Sequence, residues 1–103
     1  MPIYGNHELF TCDQMDMQNP KENDNLLAIT SEIWKEYLDE QAFSDLKNLG
    51  YYTLYKAEWE VRFIVMNTQA CDNYNSFLYA NLNDPGGELE WIKNTLLQAE
   101  SLQ

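Results

Sequence analysis

Asn6 and His7 stand side by side after Gly5 and before Glu8, just behind the short apolar segment Met1-Pro2-Ile3-Tyr4. An Asn side chain offers a neutral oxygen ligand to a metal. A His ring offers a nitrogen that can ligate a metal or carry a proton near neutral pH. Gly5 permits a tight turn that carries both side chains back toward a strand end. Glu8 is placed to fix the loop or the imidazole orientation. On local grounds alone the tetrapeptide reads as readily as a surface turn.

Other reactive groups are sparse. Cys12 and Cys71 match no zinc-ligand spacing, and could pair with each other, pair outside this chain, or stay reduced. With His7 the single histidine, no second one activates Cys12, so it reads as an idle or paired thiol. Asp13 and Asp16 read as part of a solvated acidic loop in preference to ligands. Trp34 and Trp91 read as core or edge packing, and Trp59 falls at a turn.

The elements that must position these groups come from 103 residues, enough for one small domain. Seventeen acidic residues against six basic ones give a net charge of −11. This argues against nucleic acid or an anionic membrane as a structural partner, because phosphates require Lys and Arg. The charge fits an acidic compartment, where carboxylate protonation relieves repulsion, and equally a cytosolic protein. The longest apolar run, Phe63 to Met66, is strand-sized, and no signal peptide is visible.

Met1 to Tyr4 is predicted to end a buried strand, and residues 8–25 a long loop. Leu26, Leu27, Ile29, Ile33, Trp34, Tyr37 and Leu38 recur at helical spacing behind a cap at Asp24 or Asn25. A second helix runs from Gln41 or Ala42 to Asn48, stopped by Gly50. Strands follow at 51–55 and 60–67, the second apolar on both faces and so predicted to be central and covered. A polar loop and a helical turn from Ser76 to Asn81 come next. Asp84-Pro85 then starts a helix from Gly86 to about Glu100 that is predicted to bury Leu89, Ile92, Leu96 and Ala99. The result is an α/β, layered α+β arrangement whose three strands and three helices make half of a sandwich. The chain therefore reads as a fragment of a larger domain, for which Met1 need not be the start.

With these elements placed, Gly5-Asn6-His7-Glu8 resembles the Gly-Asn-His-acid motif of calcineurin-like metallophosphoesterases. Tyr51 to Leu54, Val61 to Thr68, Cys71, and Asn83-Asp84-Pro85-Gly86-Gly87-Glu88-Leu89-Glu90-Trp91 look like the acid sphingomyelinases and their sphingomyelinase-like phosphodiesterase relatives. Gly87-Glu88 stands where glycine and Gln are the commoner pair. The match runs over nearly the full chain and is loosest from Leu9 to Asn25.

The resemblance implies residues 1–103 as the middle segment of a four-layer αββα catalytic domain with two zinc ions. The other metal motifs would lie upstream and downstream. It places Asn6 on a metal ligand, and His7 on the histidine that stabilises the transition state and protonates the leaving oxygen. Cys71 maps onto a cysteine whose disulfide partner lies further downstream, and Cys12 has no counterpart. The implied reaction is attack of a metal-bridging hydroxide on sphingomyelin, giving ceramide and phosphocholine. A nucleotide phosphodiester is the alternative substrate, and a non-catalytic remnant of the fold the alternative to an enzyme. A secreted or lysosomal location and transient lipid-surface contact are implied too, with the 103 residues alone inactive.

Overall fold

Asp39 opens the best-defined helix: its carboxylate accepts the Ala42 N–H at 2.8 Å, and Gly50 at φ 82° closes the other end. The computed structural model describes residues 1–9, 11–19, 24–80 and 82–101. Within them α1 (Asp24–Trp34) runs into a 3-10 turn, Lys35–Tyr37, and is followed by α2 (Glu40–Leu49). Strands β1 (Tyr52–Lys56) and β2 (Val61–Val65) form an antiparallel hairpin with Leu54 opposite Phe63. Short 3-10 turns at Thr68–Cys71, Ser76–Ala80 and Pro85–Gly87 lead to α3 (Glu88–Ser101).

Helix α2 packs on both α1 and β1, and its Ala42 and Leu46 are completely buried. Tyr52 and Leu54 point inward from β1 at the two-residue period of a strand. Leu27 of α1, Val65 of β2, Tyr4, Met15 and Met17 complete this core. The described residues 8–9 and 11–19 therefore are a loop, as predicted, but one that supplies two core side chains. Asp24 and Asn25, the predicted cap positions, both lie within the helix, and residues 20–23 are outside the described set.

Three expectations change. The predicted strand at Met1 to Tyr4 is coil. Pro2 has no N–H for a ladder, and the segment is held by side chains instead. The Tyr52 hydroxyl donates to the Pro2 carbonyl at 2.7 Å, while Tyr4 bonds Thr30 and packs on Trp34 at 5.2 Å. Second, β2 is not a covered central strand. Among the described residues β1 is its one partner, and only Val65 is buried along it.

Third, the apolar faces of α1 and α3 are only partly used. Ile29, Ile33 and Tyr37 are exposed, and Leu89 and Leu96 are each more than half exposed, with Ile92 and Ala99 half-buried. Helical periodicity identifies an apolar face without identifying what covers it. Helix α3 meets the remainder near its start, through buried Glu88 and through Trp91, whose ring lies 4.6 Å from that of Tyr51. Asp84 caps it as predicted but from further away. Its carboxylate reaches past the Pro85–Gly87 turn to accept the N–H groups of Leu89 at 2.8 Å and Glu90 at 3.1 Å.

Candidate active-site corner

Asn6 and His7 form the exposed tip of a turn that an adjoining arm folds back upon. Asp13 grips Asn6 twice: its N–H donates to the Asn6 carbonyl at 3.0 Å, and its Oδ1 accepts from Asn6 Nδ2 at 2.7 Å. With Nδ2 engaged, Asn6 Oδ1 is the atom left for a ligand. Cys12 meets His7, with Sγ 3.2 Å from Nδ1 and 3.4 Å from the Asn6 carbonyl oxygen. Of the two roles expected for Glu8, the geometry is that of a loop clasp. Its Oε2 accepts the Gly5 N–H at 2.7 Å, and the described contact of the imidazole is Cys12. A Cβ on residue 5 would stand 2.8 Å from that oxygen, so any larger residue there makes the Glu8 carboxylate swing aside.

The return of the arm costs strain. Thr11 and Asp13, on either side of Cys12, adopt φ 70° and 67°. Left-handed backbone costs a non-glycine residue about 1–2 kcal/mol, and β-branched Thr is an outlier there. What holds the strain lies sixty residues away. Gln14 donates to the Tyr74 carbonyl at 2.6 Å and accepts from the Ser76 N–H at 3.1 Å. Buried Asn75 accepts the Met15 N–H at 3.3 Å and donates to the Met15 and Gln69 carbonyls at 2.8 and 3.1 Å. Asn67 Nδ2 lies 3.1 Å from Met15 Sδ.

Electrostatics around the corner are negative. Desolvation first, then the charges of Asp13 and Asp72, push the Cys12 thiol up, so it stays S–H. Among the described residues no three His, Cys, Asp or Glu side chains gather where they could hold a metal ion. Asn6 and His7 suit one side of such a site and do not complete it. Cys71 sits apart from this corner. It is an exposed free thiol on the rim of a recess of about 250 Å³ lined by Asn75, Leu78, Tyr79 and Leu82.

No protein-family model matches the chain. Individual proteins do. It is 33% identical over 96 residues, 92% of its length, to the rat cyclic GMP-AMP phosphodiesterase SMPDL3A. It is 35% identical over 104 residues, 98% of its length, to sphingomyelin phosphodiesterase A of Dictyostelium discoideum. By sequence the chain is similar over most of its length to members of the sphingomyelinase-like phosphodiesterase group. Sphingomyelin phosphodiesterase 2 of Caenorhabditis elegans is similar over 98% of the chain at 30% identity. The chain spans about a fifth of the length of these relatives, 20%, 17% and 18% respectively.

Within this sphingomyelinase-like segment, the partner of His7 is a residue that sequence reasoning set aside. The arm brings Cys12 to His7, a contact that reading it as an idle or paired thiol did not anticipate. The buried carboxyl of Glu88 was also missed. It accepts the Asn67 N–H at 2.6 Å, and burial, with a smaller push from the Asp84 charge, raises its pKa from 4.5 to about 7. Its one signal in the sequence was a carboxylate standing where the resembled group more often carries the neutral amide.

Proposed function

We propose that this chain belongs to the catalytic domain of a zinc-dependent phosphodiesterase built as a four-layer αββα sandwich. Its substrate is sphingomyelin, cut to ceramide and phosphocholine. The observation that carries this reading is the Asn6–His7 corner, gripped by Cys12 and Asp13, within a segment similar to sphingomyelin phosphodiesterases over 98% of its length.

Two zinc ions, one held in part by Asn6 Oδ1, would supply Lewis acidity to activate water and neutralise the phosphoryl oxygens. A neutral amide ligand adds an oxygen without further negative charge, which keeps such a site electrophilic. Asp13 fixes which amide atom is presented. His7 donates a proton from its ring to the departing alkoxide oxygen, which would otherwise be a poor leaving group. Glu8 keeps the turn closed around Gly5. Substrate contact at a lipid surface is transient, and the protein works in a lysosomal or secreted acidic setting, where protonated Glu88 is the favoured buried form.

A nucleotide phosphodiester is the second reading, favoured by the name of the rat relative. Full-length protein decides between them in parallel assays on sphingomyelin micelles and a cyclic dinucleotide. Faster turnover of sphingomyelin supports the first reading, and turnover of the dinucleotide alone supports the second. His7→Ala is expected to lower turnover by about 10²–10⁴-fold with zinc content unchanged. Equal turnover in this variant would end the acid assignment, and none in the unmodified protein would make it a remnant.

A further inference from the structure

The imidazole of a proton-donating histidine needs one nitrogen tied down so that the other does the chemistry. Enzymes commonly use a carboxylate or a backbone carbonyl for this. Glu8 is committed to the Gly5 N–H and Asp13 to Asn6, so neither carboxylate has its described contact with His7. The atom beside Nδ1 is the sulfur of Cys12 at 3.2 Å, and that sulfur also lies 3.4 Å from the Asn6 carbonyl oxygen.

One hydrogen-bonding order satisfies both distances. A thiol is both a weak donor and a weak acceptor. A backbone carbonyl can only accept, so the S–H points to Asn6. The sulfur is then left to accept, and Nδ1 must carry the hydrogen. The chain reads His7 Nδ1–H to Cys12 Sγ, and Cys12 S–H to the Asn6 carbonyl. We propose that Cys12 is the positioning residue of His7, holding Nδ1–H through its sulfur while its own S–H is anchored on Asn6, so that Nε2 is the nitrogen that moves the proton.

The strained backbone gives independent support. Thr11 and Asp13 hold left-handed conformations on both sides of Cys12, a cost of the kind kept where a side chain must be aimed. The same arm fixes the amide of Asn6 through Asp13. One short segment therefore orients the adjacent candidate ligand and acid together. The catalytic meaning of this arrangement rests on the phosphodiesterase reading; the arrangement itself does not.

The test uses the 103-residue chain, in which His7 is the only histidine, so its ring nitrogens give unambiguous ¹⁵N signals. Spectra are recorded at about pH 8, where the imidazole of free histidine is neutral. Free histidine favours the Nε2–H form. The unmodified chain is expected to favour Nδ1–H, with the Nδ1–H to Nε2–H ratio about three-fold higher than in Cys12→Ala. Cys12→Ser, whose hydroxyl can also accept and donate, restores most of that ratio. Backbone amide spectra that overlay outside residues 5–14 confirm that the variants fold. An Nε2–H ring in the unmodified chain, or identical ratios in all three, overturns the proposal. Such a failure leaves phosphodiester hydrolysis by the full-length protein untouched. Absence of hydrolysis beside an Nδ1–H ring would remove the enzymatic reading alone.

Discussion

Glu88 Oε1 accepts the Asn67 N–H at 2.6 Å, joining the first residue of α3 to the residue two beyond the end of β2, with the Glu88 side chain buried. The groups that face it are the Asn67 amide, the Asp84 carboxylate and the Tyr51 ring, whose own hydroxyl is raised to about 12 by burial and then by the Glu88 charge. No Lys, Arg or His among the described residues forms an ion pair with it. Desolvation outweighs the hydrogen bond from Asn67, and the neutral acid is the form that the fold prefers.

That preference sets a pH dependence. The folded pKa of about 7 lies above the ordinary 4.5, so the contribution of Glu88 to stability is complete below about 4.5 and is lost progressively as pH rises to about 7. The loss is on the order of 3 kcal/mol. Glu88→Gln retains an acceptor for Asn67 without a titrating group. Its stability is expected to match the unmodified chain near pH 4 and exceed it by on the order of 3 kcal/mol near pH 8. Comparing both chains at each pH cancels the repulsion among the other carboxylates. Urea melts with parallel pH profiles would refute the assignment.

Asn75→Ala removes four hydrogen bonds and leaves the Met15 N–H and carbonyl unpaired inside the protein. A loss of about 2–4 kcal/mol is expected, or a Tm lower by about 10–20 °C. Amide exchange should accelerate at Met15 far more than at Leu46, which α2 holds separately. A loss below about 1 kcal/mol would mean that water replaces the asparagine.

Zinc binding by the 103 residues alone should be weak. One amide oxygen and one imidazole do not make a tetrahedral site, and no three His, Cys, Asp or Glu side chains among the described residues gather where they could hold a metal ion. Equilibrium dialysis with metal analysis is expected to return far less than one equivalent. Stoichiometric tight binding would reveal a site of different composition.

Features of the chain that depend on neighbours in sequence were legible from it. Gly50 ended α2, Asp84-Pro85 marked the start of the last helical region, and the β-formers around the Lys56 to Trp59 turn became a hairpin. The two-sided apolar run at 63–66 and the stripe of α3 were read correctly as apolar and expected to be covered, whereas only Val65 is buried along β2 and Leu89 and Leu96 are exposed. Burial depends on partners that a local pattern does not name. The Asn6-His7 pair was visible because its residues are adjacent. Its surroundings were not, because the contacts that draw Cys12 to His7 are anchored by Asn75 and Ser76, and no periodicity in residues 8–19 encodes a bond to a loop so distant.

The sixty-residue span between Met15 and Asn75 also sets an order of events. A contact that separated in sequence must first close a long loop, and such contacts are slow to form. On a ribosome the anchor does not exist until Asn75 has emerged. Until then the strained arm carrying Cys12 and Asp13 has nothing to hold it, so the corner at Asn6 and His7, encoded before its anchor, is among the last parts of this chain to take shape.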